Sequence, residues 1–214
     1  MVVALLVIAA VSGGVLGLVY GMTKDAIALV DQKKNEAAIQ AVLPLEGEIS
    51  YKADTLKYNY EGADLTFPCN LAYDANGTFQ GAAVKTSEGG FGGKIDMMVG
   101  FTADGTIKGT SVLSHAETPG LGANMTGKFK DQFVDKNPAS YKLTVTKDGG
   151  DVDAITAATI TSRAFSKAVD KAYQAFMANK AQYINNAPAK EAAPVMEEAP
   201  AEENNETEGG TENE

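Results

Sequence analysis

The chain has 214 residues, 44% of them hydrophobic, which suffices for one domain of ordinary size with attachments. Its formal charge of -10 is concentrated, because nine glutamates and one lysine from Ala187 onward carry -8 and leave only -2 to the rest. No basic patch favours nucleic acid, the lone cysteine (Cys69) excludes an internal disulfide or thiolate cluster, and the lone histidine (His115) argues against a histidine-built metal centre.

Residues 1–23 contain no charged side chain. An apolar run from Val2 to Met22 matches the ~20 residues that cross a hydrocarbon core as a helix. It predicts a retained transmembrane anchor. A cleaved signal peptide is the competing reading, but the run is long for one and lacks a basic start. Ala9, Gly13, Gly17 and Gly21 would line one helix face, where small residues let membrane helices approach closely, although glycine is common in such helices anyway. Lys24, Lys33 and Lys34 follow the span and by the positive-inside rule favour a cytoplasmic domain. Residues 24–43 read as a helical stalk with Ile27, Val30, Ala38, Ile39 and Val42 apolar, ended by Pro44. The expected organisation is an anchor (1–23), a stalk and linker (24–47), a folded domain (48–186) and an acidic disordered tail (187–214).

Within the folded part, residues 55–60, 65–73 and 78–86 are predicted strands, with Asp74-Ala75-Asn76-Gly77 as hairpin turn between the last two. The loop Glu88-Gly89-Gly90-Phe91-Gly92-Gly93 lacks the Gly-Lys-Ser/Thr and the helix of a phosphate-gripping loop, and reads instead as backbone passing close to another group. Residues 94–102 and 106–114 form a second hairpin about Asp104-Gly105. Then comes Ser114-His115-Ala116-Glu117-Thr118-Pro119-Gly120-Leu121-Gly122-Ala123, a tight non-helical segment whose amides can face a ligand. Residues 125–134 suggest a short helix, 141–147 a strand, Asp148-Gly149-Gly150 a turn, and 161–184 a long helix with Phe165, Val169, Tyr173, Phe176 and Met177 as its buried stripe. The pattern is α+β.

The stretch preceding that helix is the most unusual in the chain. The ten positions after Asp153 hold four hydroxyl residues (Thr156, Thr159, Thr161, Ser162), three alanines, and the only arginine, Arg163. The plain reading makes Ser162 an N-cap; the functional one places a phosphate against the open amides of a helix start. A serine hydrolase is excluded by the lack of a Gly-x-Ser-x-Gly elbow, and a dinucleotide fold by the lack of Gly-x-Gly-x-x-Gly between strand and helix. Cys69 reads as a small buried hydrophobe.

These residues carry a resemblance. Thr156-Ala157-Ala158-Thr159-Ile160-Thr161-Ser162, following Asp153, resembles the flavin-attachment motif of FMN-binding domains. Glu117-Thr118-Pro119-Gly120-Leu121-Gly122 is similar to that family's second motif, and the glycine loop before Ile95, Val99-Gly100-Phe101 and residues 104–109 match it as well. Over roughly residues 1–185 the order is that of membrane-anchored members, the G subunits of Rnf electron-transport complexes, with the C subunits of sodium-translocating NADH:quinone reductases as the alternative.

The resemblance implies a twisted, largely antiparallel sheet flanked by helices, and FMN joined to Thr159 by a phosphoester bond. Thr156, Ala157, Ala158, Thr161 and Ser162 would surround the phosphate, with Arg163 as a possible counter-charge. Glu117, Thr118, Gly120, Leu121 and Gly122 would lie beside the isoalloxazine ring, where glycines let amides approach. It further implies a separate metal-dependent flavin transferase, and assembly with other integral membrane and redox subunits that couple ferredoxin and NAD+ to ion translocation. It places the chain in the inner (cytoplasmic) membrane as a single-pass protein with its domain on the extracytoplasmic side, against the lysine signal. Neither a metal site nor a catalytic side chain is expected. Ala157 stands where glycine is more usual, and the basic start is missing. The acidic tail is not a general family feature. Two further readings remain: a membrane-tethered binding or scaffold domain without redox function, and a stand-alone flavoprotein acting on a small extracytoplasmic acceptor.

Overall fold

The computed structural model describes residues 2–185, so the expected acidic tail lies outside the described residues. Its first element is one unbroken helix, α1 (Val2–Val42), which runs through the predicted anchor and stalk until the approach of Pro44. Apolar side chains as far along as Val30 stand exposed, and the helix is long and apolar enough to cross a membrane. The character changes near its end, where Ala38, Val42 and Leu43 are buried.

Five strands follow: β1 (Ser50–Tyr60), β2 (Ala63–Tyr73), β3 (Phe79–Gly89), β4 (Lys94–Thr102) and β5 (Ile107–Ser114). They form one sheet in the order β1-β2-β3-β4-β5, every neighbour antiparallel. Turn chemistry fixes the meander. Glu61 and Gly62, both at positive φ (52° and 87°), make the two-residue loop between β1 and β2, whose twist suits adjacent strands. The Asp74 carboxylate accepts from the amides of Asn76 and Thr78, each at 2.9 Å. Asp104 accepts from the hydroxyls of Thr102 and Thr106 at the next hairpin.

Period-two alternation sorts the sheet into two faces. Ile95, Met97, Val99 and Phe101 of β4 join Ala82 and Val84 of β3 beneath the second long helix, α2 (Thr159–Asn185). From α2, Phe165, Val169 and Phe176 enter this core fully buried, and Phe176 stacks on Phe101 with centroids 5.3 Å apart. The intervening residues Ala72, Ala83, Met98 and Leu113 face the other way and receive the end of α1. Glycine makes that approach possible: Gly100 and Gly109 are cross-strand partners, and a Cβ on Gly100 would lie 2.0 Å from the Val42 carbonyl oxygen. The predicted stalk therefore ends as a docked layer of the domain.

Three expectations differ from the structure. The first strand begins at Ser50 and not at 55, because backbone pairing to Tyr73 extends it through residues exposed on both faces that show no alternation. Residues 125–134 hold two 3-10 stretches, Gly122–Thr126 and Lys128–Phe133, that bury Met125, Phe129 and Phe133 without an α-helix. Residues 141–147 do not form a strand of the sheet. Their alternation buries Val145 and half-buries Leu143, but the backbone pairs with the following loop, through Asp151 N–H to the Lys142 carbonyl and an isolated bridge between Val145 and Val152. Alternation reports one-sided burial, which a loop can also satisfy.

Candidate functional site

The stretch 153–163 makes a turn that closes onto the start of α2. Gln132 grips Asp153 in both directions, its amide donating to the Asp153 carbonyl (3.1 Å) and its Oε1 accepting the Asp153 N–H (2.8 Å). The Ala158 N–H donates to the Ile155 carbonyl at 3.0 Å, closing a turn in which Ala157 sits at φ +61°. That left-handed conformation is why glycine would suit the position and why alanine is strained there.

Ser162 is not the N-cap. α2 begins at Thr159, so the cap position falls on Ala158, whose short side chain supplies no acceptor. Ser162 works from inside the first turn: its Oγ accepts the Ile155 N–H at 2.9 Å and donates to the Ala158 carbonyl at 3.0 Å, riveting turn to helix. Thr161 is also buried, and its hydroxyl donates to Glu117 Oε2 at 2.5 Å. Thr156 and Ala157 are exposed, Ala158 is buried, and Thr159 is half-buried at the first helical position. The amides of the first turn of α2 precede any intrahelical acceptor and face the same end. Arg163 is turned to Asp148, with Nε and Nη2 donating to its two carboxylate oxygens at 2.7 and 2.8 Å. That pairing, hydrogen bonding foremost, holds the Asp148 carboxyl below its usual range and raises the guanidinium. The charge of Arg163 is thereby committed to a neighbour.

The loop 115–122 splits into an inner and an outer part. Glu117 and Gly122 are buried, whereas Thr118, Gly120 and Leu121 are exposed. Glu117 Oε1 accepts the Gly92 N–H at 2.8 Å, so the glycine loop passes close to this carboxylate and its own neighbours. A Cβ on Gly92 would lie 2.1 Å from the Ala116 carbonyl oxygen. One carboxylate thus ties three segments that are far apart in sequence: the glycine loop, the 115–122 loop and the start of α2. A cleft of about 640 Å3 lies where two of them continue, lined by Ala123, Asn124, Gly127 and Phe129 on one side and by Asp153 to Thr156 on the other. It is shallow and largely open to solvent. Gly127, Phe129 and Gln132 carry no motif in the sequence; the fold alone brings them to this region, through the 3-10 turns and the bonds from Gln132 to Asp153.

Comparison with known proteins matches an FMN-binding domain model over residues 90–174, a range that begins in the glycine loop and ends in α2. The G subunit of the ion-translocating oxidoreductase complex from Aliivibrio fischeri is 37% identical over 183 residues, covering 80% of this chain and 86% of that one. The chain belongs to this G-subunit family. The G subunit of the Na(+)-translocating ferredoxin:NAD(+) oxidoreductase complex from Acetobacterium woodii is 32% identical over 182 residues, covering 80% of this chain and 88% of that protein. A crystal structure of the C subunit of the Na(+)-translocating NADH-quinone reductase from Parabacteroides distasonis overlaps 70% of this chain and 93% of that one, at 17% identity and a TM-score of 0.48.

This member of the G-subunit family therefore carries an FMN-binding domain, and the domain contains both the 115–122 loop and the stretch after Asp153. The residues present fit a flavin phosphate: small side chains (Ala157, Ala158), an open helix start, exposed hydroxyls and an adjacent cleft. Among the described residues there is no cluster of His, Cys, Asp or Glu suited to a metal ion. The exposed N-terminal helix is long and apolar enough to be the element that associates the chain with a membrane.

Proposed function

We propose that this chain is an electron-transfer subunit of a membrane-bound, ion-translocating ferredoxin:NAD+ oxidoreductase, and that its FMN is joined to the Thr159 oxygen by a phosphoester bond. The observation that carries the assignment of Thr159 is the division of labour among the motif's hydroxyls. Those of Thr161 and Ser162 are spent inside the fold, and of the two that remain, Thr156 in the preceding turn and half-buried Thr159, only Thr159 stands at the open end of α2. Bound FMN supplies one- and two-electron redox chemistry. The protein's part is placement. First-turn amides and the helix dipole favour a phosphodiester anion beside Thr159. Ala157 and Ala158 leave room for it, and Thr118, Gly120 and Leu121 are the members of the second loop open to a flavin ring. Covalent attachment suits a compartment where free FMN is scarce, in keeping with a domain on the extracytoplasmic side of the inner membrane. Maturation then requires a separate flavin transferase. The other subunits of the complex are its electron donor and acceptor. The organisation that goes with this reading is an anchor (1–23), a stalk (24–47), the FMN-binding domain (48–186) and the acidic segment (187–214).

The test is the intact mass of the full chain produced with a flavin transferase. The wild type gains the mass of FMN less one water, retained through denaturation, and Thr159→Ala gains nothing. A wild type without added mass, or a Thr159→Ala variant that keeps its flavin through denaturation, defeats the assignment. The first result would favour a non-redox binding domain.

A further inference from the structure

Glu117 is 5% exposed, an unusual place for a carboxylate. Among the described residues it takes part in no ion pair. Its two oxygens are instead held by neutral donors, the Gly92 N–H at 2.8 Å and the Thr161 hydroxyl at 2.5 Å. The socket around it is cut out of glycines from two loops. A Cβ on Gly90 would come within 2.3 Å of Oε1, and one on Gly122 within 2.4 Å of Oε2 and 2.7 Å of the Thr161 Oγ. Removing a hydrogen-bonding partner from such a site leaves a buried polar group unpaired, which favours the arrangement in which all three are satisfied together.

That geometry has a directional consequence. Successive residues of an α-helix are about 100° apart, so Thr161 and Thr159 project on nearly opposite sides, about 200° around the axis. When Glu117 draws Thr161 into the protein, Thr159 is turned away from it, toward the open side.

We propose that Glu117 and Thr161 act together as positioning residues for flavin attachment, fixing the rotation of the first turn of α2 so that the Thr159 oxygen meets the incoming phosphorus. The inference rests on the reading that Thr159 is the attachment point. In the step itself, a flavin dinucleotide bound by the transferase is the donor. The Thr159 oxygen forms a bond to the flavin-side phosphorus, the pyrophosphate P–O bond breaks, the nucleoside monophosphate leaves with the electron pair, and the hydroxyl proton passes to a base of the transferase or to water. Neither Glu117 nor Thr161 touches the reacting atoms. Their contribution is orientation, to which a reaction of this kind responds steeply: a displacement of ~1 Å can cost about 100-fold.

The experiment uses the full chain in detergent with purified flavin transferase and flavin adenine dinucleotide, and follows covalent flavin by fluorescence after denaturation. Thr161→Val should lower kcat for attachment at least about 10-fold, with KM for the chain within about twofold, and Thr161→Ser should restore it. Glu117→Ala, outside the attachment motif, leaves the Thr161 hydroxyl without its partner and should show a loss of the same size. The double variant of Glu117→Ala with Thr161→Val should lose no more than either single one, because both remove one contact. Circular dichroism at the assay temperature confirms that each variant is folded; if Thr161→Val is not, the comparison of Thr161→Ser with Glu117→Ala decides. The proposal is overturned if Thr161→Val or Glu117→Ala is flavinylated at the wild-type rate, or if the two losses multiply. A wild type that takes no flavin at Thr159 overturns the underlying reading instead, and intact mass tells the two failures apart.

Discussion

Replacing Ala157 by glycine should stabilise the protein. Ala157 holds φ +61° between two constrained positions, the Ala158 N–H bonded to the Ile155 carbonyl and the Ser162 Oγ bonded to the Ile155 N–H. The surrounding bonds impose the left-handed conformation, and an L-residue with a Cβ is penalised there by about 1–2 kcal/mol. Glycine removes that penalty but brings about 0.5–1 kcal/mol of extra conformational entropy in the unfolded chain. The difference leaves a net gain of about 0.5–1 kcal/mol, or roughly 2 °C in melting temperature for a domain of this size. Thermal unfolding of the full chain in detergent, followed by circular dichroism, measures it. Ala157→Val supplies the opposite sign, since a β-branched residue is worse at positive φ, and should lower the melting temperature. An Ala157→Gly protein that melts at or below the wild-type temperature would refute the reasoning, because the turn could not then be storing strain at that residue.

Two other outcomes follow from the fold. Gly100→Ala should detach the end of α1, since the new Cβ would lie 2.0 Å from the Val42 carbonyl oxygen and 2.5 Å from its carbon, and backbone cannot yield as a side chain can. Burial of Val42 and Leu43 is worth about 1.5–3 kcal/mol each, so the docked end should be lost, and limited proteolysis around residues 43–49 should accelerate with the rest of the domain intact. Asp104 is held below the ordinary carboxyl range chiefly by hydrogen bonds from Thr102 and Thr106. A depressed folded-state value stabilises above the unfolded value of about 4 and is lost as pH falls through the folded value. Melting temperature measured down to pH ~2 should therefore fall less steeply at the acid end for Asp104→Asn than for the wild type.

The sequence by itself determined the elements whose local chemistry and global burial agree. The apolar uncharged run specified a membrane-length helix. Asp74 to Gly77 and Asp104-Gly105 specified two hairpins, and the stripe Phe165, Val169, Phe176 specified the inner face of α2. It also located both loops that carry the family's motifs, because those are contiguous stretches readable without knowing what they touch. Tertiary structure alone decided the rest, since the deciding contacts join residues distant along the chain. The alternation over 141–147 could not show that its partner is a loop, as burial on one side leaves the same trace with or without a neighbouring strand. The pairing of Gly100 and Gly109 beneath Val42 is invisible in a list of glycines. Most consequential is Glu117, whose partners, the Gly92 N–H and the Thr161 hydroxyl, were supplied by the fold. A carboxylate's partners are set by where three separate backbones meet, and neither its identity nor its spacing encodes that meeting.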